Sequence, residues 1–286
     1  MDPEPIPVTV IGGYLGSGKT TLVNHLLRKA EGRRLAIMVN EFGELPIDED
    51  LIEAQGDELI SLAGGCVCCS YGSDLVEAMV RLAGLEPRPD NVLLEASGVA
   101  LPGSIAGTLS LMADYSIDGI VVLADAETVR QRADDRYMGD TILRQLGDAD
   151  IILLNKSDLV SAETLATTRD WIGDVATGAQ VIESERSAVA PAIVLQNFER
   201  GADENRDDNP HRHAGFESRK LVIDDPVNAN DFAYELISDN PKLVRAKGFV
   251  RDRDGTMKTI QIVGKRTEIT EAPAGVASGL VIICAI

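Results

Sequence analysis

The stretch Gly12-Gly13-Tyr14-Leu15-Gly16-Ser17-Gly18-Lys19-Thr20 constrains this chain more than any other. From Gly13 it reads GxxxxGK followed by Thr. It follows the apolar run Val8-Thr9-Val10-Ile11 and precedes a helix-like pattern, Thr21-Leu22-Val23-Asn24-His25-Leu26-Leu27. Strand, glycine loop and helix in that order form a phosphate-binding loop. The glycines let backbone N–H groups turn inward around an anion. The start of the helix adds its positive dipole end. On this reading Gly13, Gly16, Ser17, Gly18, Lys19, Thr20 and Thr21 hold the phosphates of a nucleotide. Lys19 reaches the β- and γ-phosphates, and the Thr20 hydroxyl binds Mg²⁺.

Further strands are expected from the apolar runs at 35–39, 58–62, 91–95, 119–123, 151–154 and 181–182. Helical spacings lie between them, such as Leu75, Val76, Met79, Leu82 and Ala83. Alternating strands and helices predict an α/β chain: a P-loop NTPase with a mostly parallel sheet and helices on both faces. Polar residues follow the strands at their C-terminal ends, where such sheets bind ligands. This nucleotide unit is expected over 1–198. Residues 199–216 are acidic and nearly without apolar side chains, and they read as an exposed linker closed by His211 and His213. Residues 217–286 predict a small α+β unit: a strand at 220–223, a helix at 228–238, a hairpin about Asp252-Arg253-Asp254-Gly255 and a closing strand at 281–284.

Hydrophobic residues make up 44% of the 286, enough for a packed core. A formal net charge of −19 argues against a nucleic-acid backbone as partner. Neither a membrane-spanning apolar run nor a basic-then-apolar leader is visible, so a cytoplasmic protein with no membrane partner is expected. Three of the four cysteines crowd into Cys66-Val67-Cys68-Cys69. In a reducing compartment such crowding points to metal or redox chemistry rather than to disulfides.

Three further constellations carry chemistry. Asn155-Lys156-Ser157-Asp158 reads NKxD at the end of a buried run. A carboxylate at Asp158 accepts both the N1–H and the exocyclic amine of guanine, whereas adenine leaves it unpaired. Asn155 helps position the base, and the Lys156 stem covers its face. Glu95 ends an apolar strand on the Mg²⁺ side of the phosphates, where it contacts the ion through water or orients the attacking water. The Gly98 N–H behind it is placed to sense the γ-phosphate. Cys66, Cys68 and Cys69 are soft ligands suited to Zn²⁺, Cu⁺ or Co²⁺ far better than to Mg²⁺. Three thiolates do not complete a tetrahedral site. Glu41, Glu44, a histidine or water would supply the rest. A thiol-redox switch is the competing reading.

These motifs, in this order and together with the acidic Asn40-Glu41-Phe42-Gly43-Glu44 loop and Glu95-Ala96-Ser97-Gly98, resemble the CobW family of metallochaperone GTPases. These are relatives of the GTPases that assist metal delivery to hydrogenase and urease. The resemblance covers nearly the whole chain. Arg245-Ala246-Lys247-Gly248 and the strand after it look like the family's second domain. The resemblance implies a slow GTPase that uses GTP and Mg²⁺. It implies that Cys66, Cys68 and Cys69 bind Zn²⁺ or Co²⁺. Glu41 and Glu44 match a loop that responds to nucleotide near the metal. A client metalloprotein or cofactor-synthesis enzyme is the implied partner, with a homodimer possible. Of the family's histidine-rich linker only His211 and His213 remain. The alternative kept beside it is a redox- or partner-regulated GTPase switch without metal transfer.

Overall fold

The structure is a computed structural model that describes residues 4–30, 33–39, 59–61, 73–195, 211–213, 216–223, 225–273 and 275–285. The chain divides into two compact units, Met1–Gln196 and Asn197–Ile286. In the first the order is β1 (Ile6–Gly13), α1 (Lys19–Arg28), β2 (Leu35–Val39), β3 (Leu59–Ser61), α2 (Ser73–Ala83), β4 (Asn91–Glu95) and α3 (Pro102–Leu109). Then come β5 (Tyr115–Asp125), α4 (Val129–Ala133), α5 (Gly139–Gly147), β6 (Ile151–Asn155), α6 (Ala162–Val175), β7 (Gln180–Ser184) and α7 (Pro191–Val194).

The seven strands form one sheet in the order β3-β2-β4-β1-β5-β6-β7. Every pairing in it is parallel. Each predicted apolar run is a strand. A parallel sheet covered on both faces asks for such runs, and every residue of β1, β2, β4 and β6 is buried. On one face Val8, Val10 and Val92 pack with Leu75, Met79 and Leu82 of α2 and with Ile105 and Leu109 of α3. Further along, Val122, Ile152 and Leu154 pack with Val129 of α4, Ile142 and Leu146 of α5, and Ile172 of α6.

The chain leaves β1 toward β2 and returns through β4 to β5 on the other side. The strand order therefore reverses at β1, between β4 and β5. Such a switch point opens a crevice at the strands' carboxyl ends. The glycine loop after β1 lies there, with Glu95 at the end of β4 on one side and Asp125 at the end of β5 on the other.

The second unit is an antiparallel sheet in the order β12-β11-β10-β13-β9-β8, with one helix among the described residues. Its elements are β8 (His211–His213), β9 (Phe216–Leu221), α8 (Ala229–Asp239), β10 (Leu243–Arg251), β11 (Met257–Val263), β12 (Arg266–Glu271) and β13 (Gly279–Ala285). Asn228 caps α8, accepting from the N–H groups of Asn230 and Asp231. Ala229, Ala233 and Leu236 then pack on Ala246, Val250, Ile260, Ile262, Leu280 and Ile282. Two strands depart from expectation. β12 is mostly polar because it is an edge strand, and His211–His213, expected in the linker, pair with β9.

Tyr115 opens β5 and donates from its hydroxyl to the Met79 carbonyl of α2 at 2.6 Å. Burial pushes its pKa from 10.0 up to about 12. Between those values the unfolded chain releases the proton while the folded chain keeps it. This contribution is therefore full below pH 10 and is lost as pH rises toward 12. The urea midpoint is expected to fall more steeply across that window in the native protein than in Tyr115→Phe. Parallel curves would refute the assignment.

Candidate nucleotide site

The site is built on the turn between β1 and α1. Gly18, the residue before α1, has φ 108°, in the left-handed region. A Cβ there would stand 2.4 Å from Asn155 Nδ2 and 2.6 Å from Ser187 Oγ, so only glycine fits. Lys19 folds back over the loop and donates from Nζ to the Gly13 carbonyl at 3.0 Å and to the Tyr14 carbonyl at 3.5 Å. Ser17 is buried and Gly16 is exposed. Thr21 is exposed on the first turn of α1.

Thr20 donates from Oγ1 to Glu95 Oε1 at 3.1 Å. Glu95 is only 3% exposed, at the end of β4 where it pairs with Ile11. A hydroxyl and a carboxylate oxygen in contact beside a phosphate-binding loop are the donor set of a hard divalent cation, so these residues fit Mg²⁺. The segment after Glu95 lies against the loop. A Cβ on Gly98 would stand 2.7 Å from Leu15 Cγ and 2.9 Å from Leu15 N. Gln145 of α5 holds this segment, donating from Nε2 to the carbonyls of Gly98 at 3.1 Å and Ala100 at 2.7 Å.

Asn155 is 2% exposed and its amide is saturated by protein. Nδ2 donates to the Ser17 carbonyl at 2.8 Å and to Ser187 Oγ at 2.9 Å. Oδ1 accepts from Ser187 N–H at 2.8 Å and from Ser184 Oγ at 3.2 Å. The amide thus ties the phosphate loop to the end of β7. Lys156 sits in the left-handed region at φ 60°, and its ammonium pairs with Asp125 Oδ2 at 2.7 Å. That pair fixes the Lys156 stem along the rim. Asp158 is exposed on a 3-10 turn, Ser157–Leu159, with no hydrogen bond or ion pair among the described residues.

Ser184 and Ser187 have no sequence signature of their own. Ser187 stands 32 residues from its Asn155 partner and adopts φ 55°, after Arg186 at φ 51°. Two successive non-glycine residues in that region mark a loop held by its contacts. His25 packs by a ring nitrogen 2.8 Å from the Val189 carbonyl, and Trp171 is a core contact of α6. Cys284 lies in β13, where burial pushes its thiol pKa up and away from reactivity. Glu41, Glu44, Cys66, Cys68 and Cys69 lie outside the described residues. Among the described residues no cluster of three or more His, Cys, Asp or Glu side chains could hold a metal ion.

Residues 7–183 match the family model described as CobW/HypB/UreG, nucleotide-binding domain. The chain belongs to the CobW/HypB/UreG family. It is 31% identical to the zinc chaperone CobW of a Sinorhizobium species, over 92% of this chain and 86% of that protein. It is 33% identical to zinc-regulated GTPase metalloprotein activator 1 of Schizosaccharomyces pombe, over 63% of this chain but only 46% of that one. The crystal structure of Zn(II)-bound YjiA GTPase from E. coli shares the fold, with a TM-score of 0.51 at 21% identity over 99% of this chain and 94% of that one.

Asn155→Ala removes four hydrogen bonds from a buried site and strands the Ser17 carbonyl. It is expected to lower unfolding stability by about 2–3 kcal/mol and to weaken nucleotide binding with it. Chemical denaturation and nucleotide titration on the same variant check both. A stable variant with unchanged affinity would contradict this role for the amide.

Proposed function

We propose that the chain binds GTP with Mg²⁺, hydrolyses it slowly to GDP and phosphate, and uses that cycle to hold and release a transition metal for a client. The observation that carries the nucleotide reading is the free, exposed Asp158 carboxylate. It stands three residues beyond an Asn155 that is itself tied to the phosphate loop. That arrangement fits guanine, whose N1–H and amine need one carboxylate acceptor.

Within the site the chain's own groups divide the work. Lys19 offsets phosphate charge, and the loop's N–H groups point at the oxygens. Thr20 and Glu95 would hold Mg²⁺, and the ion when bound would supply neutralisation of charge on the transferred phosphate. Gly98 sits on Leu15, so an N–H at that position reports whether a terminal phosphate is present. Lys156 covers the base, and Asn155 acts one step away, by fixing Ser17 and Ser187.

The metal is cargo. Cys66, Cys68 and Cys69 bind it as thiolates, with Glu41 or Glu44 as a further ligand. The names of the Sinorhizobium and S. pombe relatives favour zinc, and thiolate chemistry accepts cobalt equally. The GTP-bound state favours the metal-bound form, and hydrolysis frees the ion. The client is a metalloprotein or cofactor-synthesis enzyme met in the cytoplasm, and a homodimer is the proposed working form. No helix of the described residues is long and apolar enough to cross a membrane.

Asp158→Asn is expected to weaken GTP by about a hundredfold or more and to raise affinity for xanthosine triphosphate, whose C2 oxygen needs a donor. Unchanged nucleotide preference would remove the guanine assignment. Serine at Cys66, Cys68 and Cys69 together should bring bound zinc to background in elemental analysis while GTP turnover persists. Retained zinc would move the cargo site elsewhere.

A further inference from the structure

We propose that Arg132 supplies a second cation, from within the same chain, to the terminal phosphate of the bound nucleotide. The inference rests on the GTP reading above and deepens it. The Arg132 guanidinium lies over the ring of Tyr14, a residue of the phosphate loop, with its Cζ 4.8 Å from the ring centroid. Its Nε is 3.4 Å from Thr128 Oγ1, a weak hydrogen bond. Among the described residues no carboxylate forms an ion pair with it. Asp135 feels its charge, but that carboxylate is held first by the N–H groups of Tyr137 and Met138. In a chain of net charge −19, an exposed arginine resting on the phosphate loop without a carboxylate in contact calls for an anion.

The surroundings say which anion. Tyr14 and Arg132 line one cleft together with Leu15, Ser17, Asp125 and Gln145. Ser17 Oγ is buried there without a hydrogen-bond partner among the described residues. Leu15, next to Tyr14, packs against Gly98, the position read above as the sensor of a terminal phosphate. Tyr14 therefore holds the guanidinium at the rim of the phosphate loop, within the chain's reach of a phosphate bound there. A cation–π contact of this kind is a weak, solvent-exposed hold, and it releases the side chain to a phosphate oxygen by a rotamer change. Arginine suits the role because its charge is permanent and its planar fork matches phosphate oxygens. No bond is made or broken by Arg132. It stabilises charge on the phosphate while water attacks phosphorus and GDP leaves.

The test is steady-state GTP hydrolysis by the full chain, with GDP affinity measured beside it. Arg132→Ala is expected to lower kcat by about ten- to a hundredfold and to leave GDP affinity within about twofold, because GDP lacks the phosphate concerned. Arg132→Lys should recover part of the loss, and guanidinium at millimolar concentration should raise turnover in Arg132→Ala alone. Turnover of Arg132→Ala within about twofold of the native value, or an equal loss of GDP affinity and kcat, overturns the proposal in favour of a packing role. A native protein that does not turn over GTP at all would instead overturn the reading it rests on.

Discussion

Four hydrogen bonds converge on one buried amide, the side chain of Asn155. It stands at the end of β6, a strand paired on both sides, and its partners lie far off in sequence: Ser17 in the phosphate loop, Ser184 at the end of β7 and Ser187 in the turn after it. A buried polar network of this kind is rigid when every member is satisfied and costly when one is missing. It also dictates neighbouring choices. Gly18 has no room for a side chain because Asn155 and Ser187 stand where a Cβ would go. Arg186 and Ser187 keep left-handed backbones because Ser187 must offer both its N–H and its hydroxyl to that amide and to the loop.

The second half of the site is held differently. Thr20 and Glu95 meet across β1 and β4, and the Ala96–Gly98 segment rests on Leu15 and on Gln145. The phosphate loop is thus clamped from two sides, by Asn155 on one and by the Glu95–Gly98 segment on the other. The first clamp is a saturated side-chain network. The second combines the Thr20–Glu95 and Gln145–Gly98 hydrogen bonds, the backbone bond from Ala96 N–H to the Ile11 carbonyl and a close packing contact, and in the proposed cycle it is the side that responds to the terminal phosphate. Coupling of nucleotide state to a second site needs such a two-state element.

Much of this was legible in the chain. Long apolar runs between helical spacings can only be satisfied by a parallel sheet covered on both faces, so the seven strands were readable one by one. Asn228 announced α8, and Gly255 the hairpin between β10 and β11. What was not legible was the mostly polar β12, which an edge position allows, and the pairing of His211–His213, which reads as linker because three residues carry no period. Nor could spacing reveal that Asn155 is wholly engaged by the protein. That depends on Ser187, a residue type found in any loop, arriving from the far end of β7. Arg132 was silent for the same reason: its significance comes from Tyr14, more than a hundred residues earlier.

In the proposed cycle, nucleotide and metal are linked through one chain. Zinc affinity, measured by competition with a chelator, should be about tenfold or more tighter with a non-hydrolysable GTP analogue and Mg²⁺ than with GDP, and zinc should tighten the analogue by the same factor. Equal zinc affinities in the two nucleotide states would contradict that linkage.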